Sequence, residues 1–380
     1  MKLLHMADLH LGKRVYEFSM LEDQKYILQQ TLDILEKEQV DGILLAGDIY
    51  DKTVPSAEAV QLFDDFLSKL AAREIAVFLI NGNHDSAERL SFGAKIFSRN
   101  KVYFAAGYQG NVERITMEDA YGIVNVYLLP FAKPIYVKHA FPEQAEDITS
   151  YQDAMKVVME HMELDTKERN VLVAHQFVTG ALRCESEDIS VGGMDNVDAA
   201  LFEEFDYVAL GHIHSPQCIG KETIRYAGTP LKYSFSECSH QKTATLIELQ
   251  EKGKVNLKQV PLVPLRDMRK IRGTYEELTA RSLYENTNTQ DYVHVTLTDE
   301  EDIFDALGKL RVIYPNLMKL EYDNCRTRSN QEITATEDME EKSPLDLTKE
   351  LFWLQNNKPM SKKQENLLTE YMKQIWEDEV

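Results

Sequence analysis

The chain has 380 residues, 43% of them hydrophobic, and a formal net charge of −21. This composition is typical of a soluble globular protein with one large core and a smaller domain. No apolar run approaches the ~20 residues that cross a bilayer. Four scattered cysteines exclude a zinc ribbon or a disulfide framework. The first twelve residues are interrupted by His5, Asp8 and His10, unlike a signal peptide, so we expect a cytoplasmic protein without a membrane partner.

The first ~260 residues alternate strand-like runs with amphipathic helical stretches. Predicted helices are 20–38, 57–72 and 150–162, and predicted strands are 2–7, 42–46, 76–80, 124–129, 171–174, 207–210, 224–227 and 243–249. Several strands are continuously apolar, which indicates that helices or a second sheet bury both of their faces. We therefore predict an α/β protein, a layered αβ-sandwich, with residues 1–265 as its main domain.

A smaller α/β unit is predicted over 266–325, with strands at 268–273, 292–298 and 317–322 and helices at 275–283 and 301–313. Residues 326–343 are polar and acidic, which predicts a flexible linker. Residues 344–380 carry two amphipathic helical patterns. These helices either pack on their own domain or bind a partner.

Metal-capable side chains follow almost every strand-like run of the main domain. They are Asp8, His10, Asp48, Asn83, His84, His175, His212 and His214. The carboxyl ends of parallel strands meet at one edge of a sheet, where ligands collect. Asp48 could instead be a helix N-cap, and Gly82-Asn83 could be an ordinary turn. The repeated Asp-x-His and His-x-His pairs favour metal binding over these alternatives.

The number of ligands suits two metal ions, which catalysis requires to be roughly 3.5–4 Å apart. Asp48 is the candidate bridging carboxylate. Oxygen and imidazole ligands without cysteine suit Mn²⁺, Fe²⁺ or Zn²⁺ better than Mg²⁺ or Ca²⁺, and we favour manganese. Paired divalent ions are used mainly to hydrolyse phosphorus esters and similar bonds.

The order Asp8-x-His10, Gly47-Asp48-x-x-Asp51, Gly82–Asp85, His175, Gly211-His212-x-His214 resembles the calcineurin-like metallophosphoesterase superfamily. The resemblance implies one ion on Asp8, His10, Asp48 and His214, and another on Asp48, Asn83, His175 and His212. It implies that His84 is catalytic, stabilising or protonating the leaving oxygen, and that Asp51 orients it. The core fold of the superfamily is also implied.

Phe205–His212, Ala227–Glu237 and Ser343–Leu345 resemble one nuclease branch of that superfamily. This closer resemblance implies 3′→5′ exonuclease activity on double-stranded DNA and endonuclease activity on single strands, acting at DNA ends and hairpins in repair, replication and recombination. It also implies a homodimer within a heterotetramer, with a coiled-coil ATPase that binds the 344–380 helices. The 266–325 unit would then cap the site.

Four basic residues near the ligands are candidate DNA contacts: Lys13, Arg14, Lys52 and Arg89. Tyr16 and Phe18 could stack on bases. The acidic net charge opposes strong DNA binding by this chain alone, which suggests that the partner supplies much of the affinity. Two other functions stay open, a phosphodiesterase or phosphatase on the same fold and an adaptor of the ATPase without catalysis.

Overall fold

The structure is a computed structural model that describes residues 1–105, 107–187, 196–324, 327, 345, 348–349, 351–353 and 359–377. It divides into two compact units, Met1–Asp267 and Met268–Val380. The predicted linker over 326–343 lies outside the described residues, apart from residue 327. The predicted first helix of the 344–380 segment is described only at residues 345, 348–349 and 351–353.

Two six-stranded sheets form the first unit, each with four parallel strands. The first sheet has the order Val255–Pro261, Thr243–Leu249, Lys2–Met6, Gly42–Ala46, Ala76–Ile80, Val102–Ala105, of which the last four are parallel. The second has the order Gln217–Ile219, Lys221–Tyr226, Tyr207–Gly211, Arg169–His175, Gly122–Leu129, Glu113–Asp119, with antiparallel strands at both edges.

The sheets pack face to face on a core that includes Leu3, Phe78, Val126 and Val173. Helices cover the outer faces: Leu21–Glu38 and Ala57–Ala72 on one side, Pro134–Ala140 and Tyr151–Glu160 on the other. Central strands such as Gly42–Ala46 are therefore buried along their whole length, which explains their uninterrupted apolar sequence. The predicted αβ-sandwich is confirmed.

Two of the covering helices begin at serine residues whose side chains cap the first turn. The side chain of Ser56 accepts a hydrogen bond from the Ala59 amide at 3.3 Å and begins the helix Ala57–Ala72. Ser150 and Asp153 form a capping box before Tyr151–Glu160. Beyond the predicted elements, the structure adds the hairpin Arg14–Val15/Phe18–Ser19, the short helices Ala87–Leu90 and Ala94–Phe97, and the polar edge strands of both sheets.

The second unit has a three-stranded parallel sheet, Met268–Gly273, Tyr292–Leu297 and Leu317–Tyr322. The single helix predicted over 275–283 is wrong, because extended Ala280 divides it into Tyr275–Thr279 and Arg281–Tyr284. The helix predicted over 301–313 is shorter, Ala306–Arg311, since Asp305 caps it by accepting from the Gly308 amide. Helix Lys362–Glu377 matches the second predicted tail pattern. None of the described helices is long and apolar enough to cross a bilayer.

Candidate metal centre

The predicted ligands converge where the carboxyl ends of both sheets meet. The first sheet supplies Asp8 and His10 after Lys2–Met6, Asp48 after Gly42–Ala46, and Asn83 after Ala76–Ile80. The second supplies His175, which ends its strand, and His212 and His214, which follow Tyr207–Gly211. Contacts between these side chains, described below, place all seven in one cluster.

The backbone at this cluster adopts a conformation that side chains seldom favour. Asp8, His10, Asp48 and His212 have φ of +53°, +44°, +49° and +97°. Such conformations cost of order 1–3 kcal/mol each and persist only where the surroundings fix them. Here the His10 amide donates to the Asp48 carbonyl at 2.9 Å, and the Asp8 amide donates to the Gly47 carbonyl at 3.1 Å. Four of the candidate ligands therefore occupy strained backbone positions.

The first set of donor atoms surrounds His10 and His214. Their Nε2 atoms are 3.2 Å apart, and His10 Nε2 is 3.8 Å from Asp48 Oδ2. Burial holds the pKa of both imidazoles well below the usual range. Both rings are therefore neutral near pH 7, which is the form that binds a metal ion.

The second set surrounds Asn83. Its Oδ1 is 3.0 Å from His175 Nε2 and 2.9 Å from His212 Nδ1. His175 Nδ1 donates to the Ala46 carbonyl at 2.8 Å, which turns Nε2 toward the cluster. Burial lowers the pKa of His175, but the carboxylates of Asp48 and Asp8 outweigh it and raise the pKa to about 9. The carboxylates would therefore hold a proton on Nε2 when no metal ion is bound, and a bound cation would replace that proton.

Asp48 lies between the two sets. Its Oδ2 is 3.4 Å from His175 Nε2 and 3.8 Å from His10 Nε2, while its Oδ1 accepts the His84 amide at 2.9 Å. Burial alone would raise the pKa of Asp48, but the imidazoles of His175, His10 and His84 hold it well below the usual range. The side chain is thus an anion that reaches toward both donor sets.

Two further observations fit bound cations. Asp8 is fully buried and its Oδ2 accepts no hydrogen bond from the described residues, so a cation would compensate an otherwise costly charge. Burial accordingly raises the pKa of Asp8 well above its usual value. The main chain also approaches the ligand loops closely at two glycines. A Cβ on Gly82 would lie 2.1 Å from Asp48 Oδ1, and one on Gly211 would lie 1.8 Å from the Ala46 carbonyl. Only glycine permits this approach.

The donor geometry groups two residues differently from the sequence-based assignment. Asp8 lies with Asp48 and His175, its Oδ1 3.8 Å from His175 Nδ1, whereas the sequence assigns it beside His10. His84 falls in one cluster with His10 and Asp48, although it is predicted to be catalytic rather than a ligand. Asp48 belongs to both clusters, in agreement with a bridging position.

The contact between His84 and residue 51 differs from the predicted one. His84 Nδ1 lies 3.0 Å from the main-chain carbonyl of Asp51, and the Asp51 carboxylate accepts from Lys13 Nζ at 2.7 Å. A carbonyl that accepts from Nδ1–H orients the ring and fixes its tautomer, as a carboxylate would. The main chain of residue 51 therefore performs a task that the sequence assigns to the side chain.

The four candidate DNA contacts differ in exposure. Arg14, Lys52 and Arg89 are exposed, whereas Lys13 is largely buried in its ion pair with Asp51. Tyr16, a candidate stacking residue, is 46% exposed and its ring packs on Phe235 at 5.6 Å between centroids. Phe18, the other stacking candidate, lies half-buried in the same hairpin.

Several supporting residues were missed by the sequence analysis. His214 Nδ1 donates to Ser186 Oγ at 2.7 Å, and Ser186 donates to Glu237 Oε1 at 2.6 Å. Glu237 is buried and pairs with buried Lys242 at 2.5 Å. This relay fixes the tautomer of His214 with Nε2 toward the cluster. Glu237 ends the Ala227–Glu237 stretch, but no local pattern links Ser186 to His214.

Asp85 is a second missed residue, although it ends the Gly82–Asp85 segment. Its buried carboxylate accepts three main-chain amides, from Ile49, Tyr50 and Gly82, at 2.9–3.1 Å. Burial, reinforced by the charge of Asp48, raises the pKa of Asp85 to about 6. The residue therefore joins the loops that carry Asp48 and Asn83.

Ser186→Ala should weaken the affinity for one metal ion by about 10- to 100-fold, because His214 loses the acceptor that fixes its tautomer. Isothermal titration with Mn²⁺ measures this. Ser98→Ala is the matched control, since Ser98 is exposed and, among the hydrogen bonds described, its hydroxyl donates only to the Lys95 carbonyl. Equal affinity in both variants would mean that the relay does not act on His214.

A bridging carboxylate between two donor sets, at the edge of parallel sheets, is what a two-metal hydrolase requires. Residues 1–216 match the family model described as calcineurin-like phosphoesterase. Residues 264–356 match the model described as the type 5 capsule protein repressor C-terminal domain. Among solved structures, a dimetal phosphatase from Danio rerio aligns at a TM-score of 0.43 and 11% identity, covering 69% of this chain and 96% of that one.

Two curated relatives align over nearly the whole chain. The SbcD subunit of the nuclease SbcCD from Staphylococcus epidermidis is 36% identical over 345 residues, covering 89% of this chain and 90% of the relative. The protein of the same name from Staphylococcus saprophyticus is 36% identical over 324 residues, covering 84% of each. The chain therefore belongs to the calcineurin-like phosphoesterase family and, within it, to the family of SbcD subunits of the SbcCD nuclease.

Proposed function

We propose that this protein is a two-metal-dependent DNA nuclease, the SbcD subunit of an SbcCD-type complex. Its activities would be 3′→5′ exonuclease on double strands and endonuclease on single strands. The observation that carries the proposal is the position of Asp48 Oδ2 between two sets of oxygen and imidazole donors. The lack of sulfur among these donors favours manganese, and the whole-length relatives support DNA as substrate.

Asp8, His10, Asp48 and His214 would hold one ion, and Asp48, Asn83, His175 and His212 the other. The proximity of Asp8 to His175 involves Nδ1, which donates to the Ala46 carbonyl and does not face the ions. When bound, two divalent ions supply an activated nucleophile and neutralise charge that develops on the phosphate oxygens. The protein positions the leaving group. His84 Nδ1 is held by the Asp51 carbonyl, which turns Nε2 toward the centre, 3.9 Å from Asp48 Oδ2. A protonated Nε2 would donate to the departing 3′-oxygen.

The proposed partner is an SbcC-type coiled-coil ATPase, bound by the 344–380 helices in a heterotetramer with two copies of this chain. Helix Lys362–Glu377 supports this, because Leu367 and Tyr371 are about half exposed. The 266–325 unit would cap the site, and DNA ends and hairpins would be the substrates. Residues 331–380 hold twelve Asp and Glu against six Lys, so this tail is suited to a protein partner rather than to DNA. The complex would work in the cytoplasm.

A substrate comparison tests the proposal. The protein, alone and with the ATPase, is incubated with Mn²⁺ and either blunt duplex DNA, single-stranded DNA, or the phosphomonoester p-nitrophenyl phosphate. We expect cleavage of both DNA substrates, with release of nucleotides from the 3′ end of the duplex. Cleavage of the monoester alone would identify a phosphatase. Absence of any DNA cleavage, even with the ATPase, would leave the adaptor as the function.

A further inference from the structure

A cleft of about 570 Å³ opens beside the candidate metal centre in the first unit. Gly82 and the candidate ligand Asn83 form part of its wall, together with Phe131, Lys133 and Tyr136. Its volume lies within the roughly 300–1,000 Å³ of small-molecule sites. A group attached to a phosphate at the metal centre would therefore have this cleft beside it.

The cleft is held open by Asn81, which is 6% exposed. The Asn81 carbonyl accepts the Phe131 amide at 3.0 Å, and its side-chain Oδ1 accepts the Gly107 amide at 2.8 Å. These bonds join three separate segments of the wall. The carboxylate of Asp85 joins the 82–85 loop to the segment that carries Ile49 and Tyr50 through its three amide contacts.

An aromatic surface continues from the metal ligands into the cleft. The ring of Phe131 stacks on that of His212 with 13° between their planes and 6.4 Å between centroids, and meets His175 edge-on at 6.0 Å. Tyr136, 46% exposed, stands on the same wall at the start of helix Pro134–Ala140. Exposed aromatic rings beside a phosphate site are suited to stacking on bases.

The charges of the cleft favour a neutral group over a second phosphate. Lys133 and Glu88, which carry opposite charges, are both exposed and both line the cleft. Asp85 is the other acidic side chain among the described lining residues, and its carboxylate is occupied by main-chain amides. A nucleoside offers the neutral, flat and partly polar surface that matches this combination.

We propose that the cleft binds the nucleoside next to the scissile phosphodiester, with the base stacked on the wall that carries Tyr136. The inference rests on the proposed nuclease function and specifies a substrate subsite for it. Sequence-independent stacking would suit an enzyme that acts on any DNA end, because every base has an aromatic face.

The test compares Tyr136→Leu with Tyr136→Phe, which keeps the ring, and with Tyr26→Leu, which removes an exposed tyrosine of the helix Leu21–Glu38. The substrates are a single-stranded oligonucleotide, the same strand with an abasic unit at either position flanking the cleaved bond, and bis(p-nitrophenyl) phosphate, a diester without bases. We expect Tyr136→Leu to raise KM for the intact strand by roughly 5- to 150-fold. Tyr136→Phe and Tyr26→Leu should stay near the wild type.

The abasic substrates test whether Tyr136 acts through a base that lies in the cleft. If the base stacks in the cleft, one abasic position raises KM of the wild type, and Tyr136→Leu adds no further loss on that substrate. The kcat for bis(p-nitrophenyl) phosphate at saturation and the Mn²⁺ content should be unchanged in Tyr136→Leu, whereas KM for this diester is not compared because its aromatic rings can also stack. An equal effect of the substitution on intact and on both abasic strands, or no effect on any, would overturn the subsite. Wild type that cleaves only the base-free diester would instead refute the nuclease function.

Discussion

Asp48→Asn should remove nearly all nuclease activity while the protein stays folded. The amide keeps the volume of the carboxylate and one oxygen, so it can still accept the His84 amide. The group at the Oδ2 position, however, becomes an NH₂ without a lone pair for a cation. We expect fewer than two equivalents of Mn²⁺ and an activity loss above ~100-fold, since residues that merely support ligands already cost 10- to 100-fold.

Metal content is measured by elemental analysis of protein reloaded with Mn²⁺, and cleavage is measured on blunt duplex DNA with the ATPase present. Asp64→Asn provides the control, because Asp64 is exposed on helix Ala57–Ala72 and the substitution makes the same chemical change. Thermal unfolding should be similar for both variants. Two bound ions and wild-type cleavage in Asp48→Asn would rule out the bridging position and favour the adaptor function.

The core of the fold could be predicted from the sequence because burial on both faces leaves a strong pattern. Gly42–Ala46, Ala76–Ile80 and Thr243–Leu249 have the predicted bounds. Edge strands lack that pattern, since one face meets water. Glu113–Asp119 and Val255–Pro261 alternate exposed and half-buried positions with many polar side chains, and they are recognised only through their neighbours.

At the candidate site, the ligand types could be predicted because they follow strands whose ends must meet. The supporting groups could not, because they depend on tertiary contacts. Ser186 and His214 are 28 residues apart, and Glu237 is 51 residues from Ser186. The orientation of His84 by the main chain of residue 51 is also invisible in the sequence, because every residue has a carbonyl oxygen.

Replacing His84 separates a catalytic residue from a metal ligand. His84→Ala should leave two bound Mn²⁺ ions and lower turnover by roughly 10²–10⁴-fold, the range for loss of a general acid. The matched control is His139→Ala, which removes an exposed histidine near the end of helix Pro134–Ala140. The alternative is that His84 itself binds a metal ion, because it lies in one cluster with His10 and Asp48. Loss of an ion in His84→Ala would establish that alternative.

Asp51→Asn tests whether the side chain or the main chain of residue 51 orients His84. The main-chain carbonyl of residue 51 is retained in this variant, so the ring of His84 should keep its orientation and tautomer. We therefore expect a much smaller loss of turnover than in His84→Ala, measured under the same conditions with Mn²⁺ and duplex DNA. If both variants lose turnover equally with full metal content, the Asp51 carboxylate acts directly on His84, as the sequence-based assignment holds. If only His84→Ala is impaired, orientation by the main chain is sufficient for catalysis.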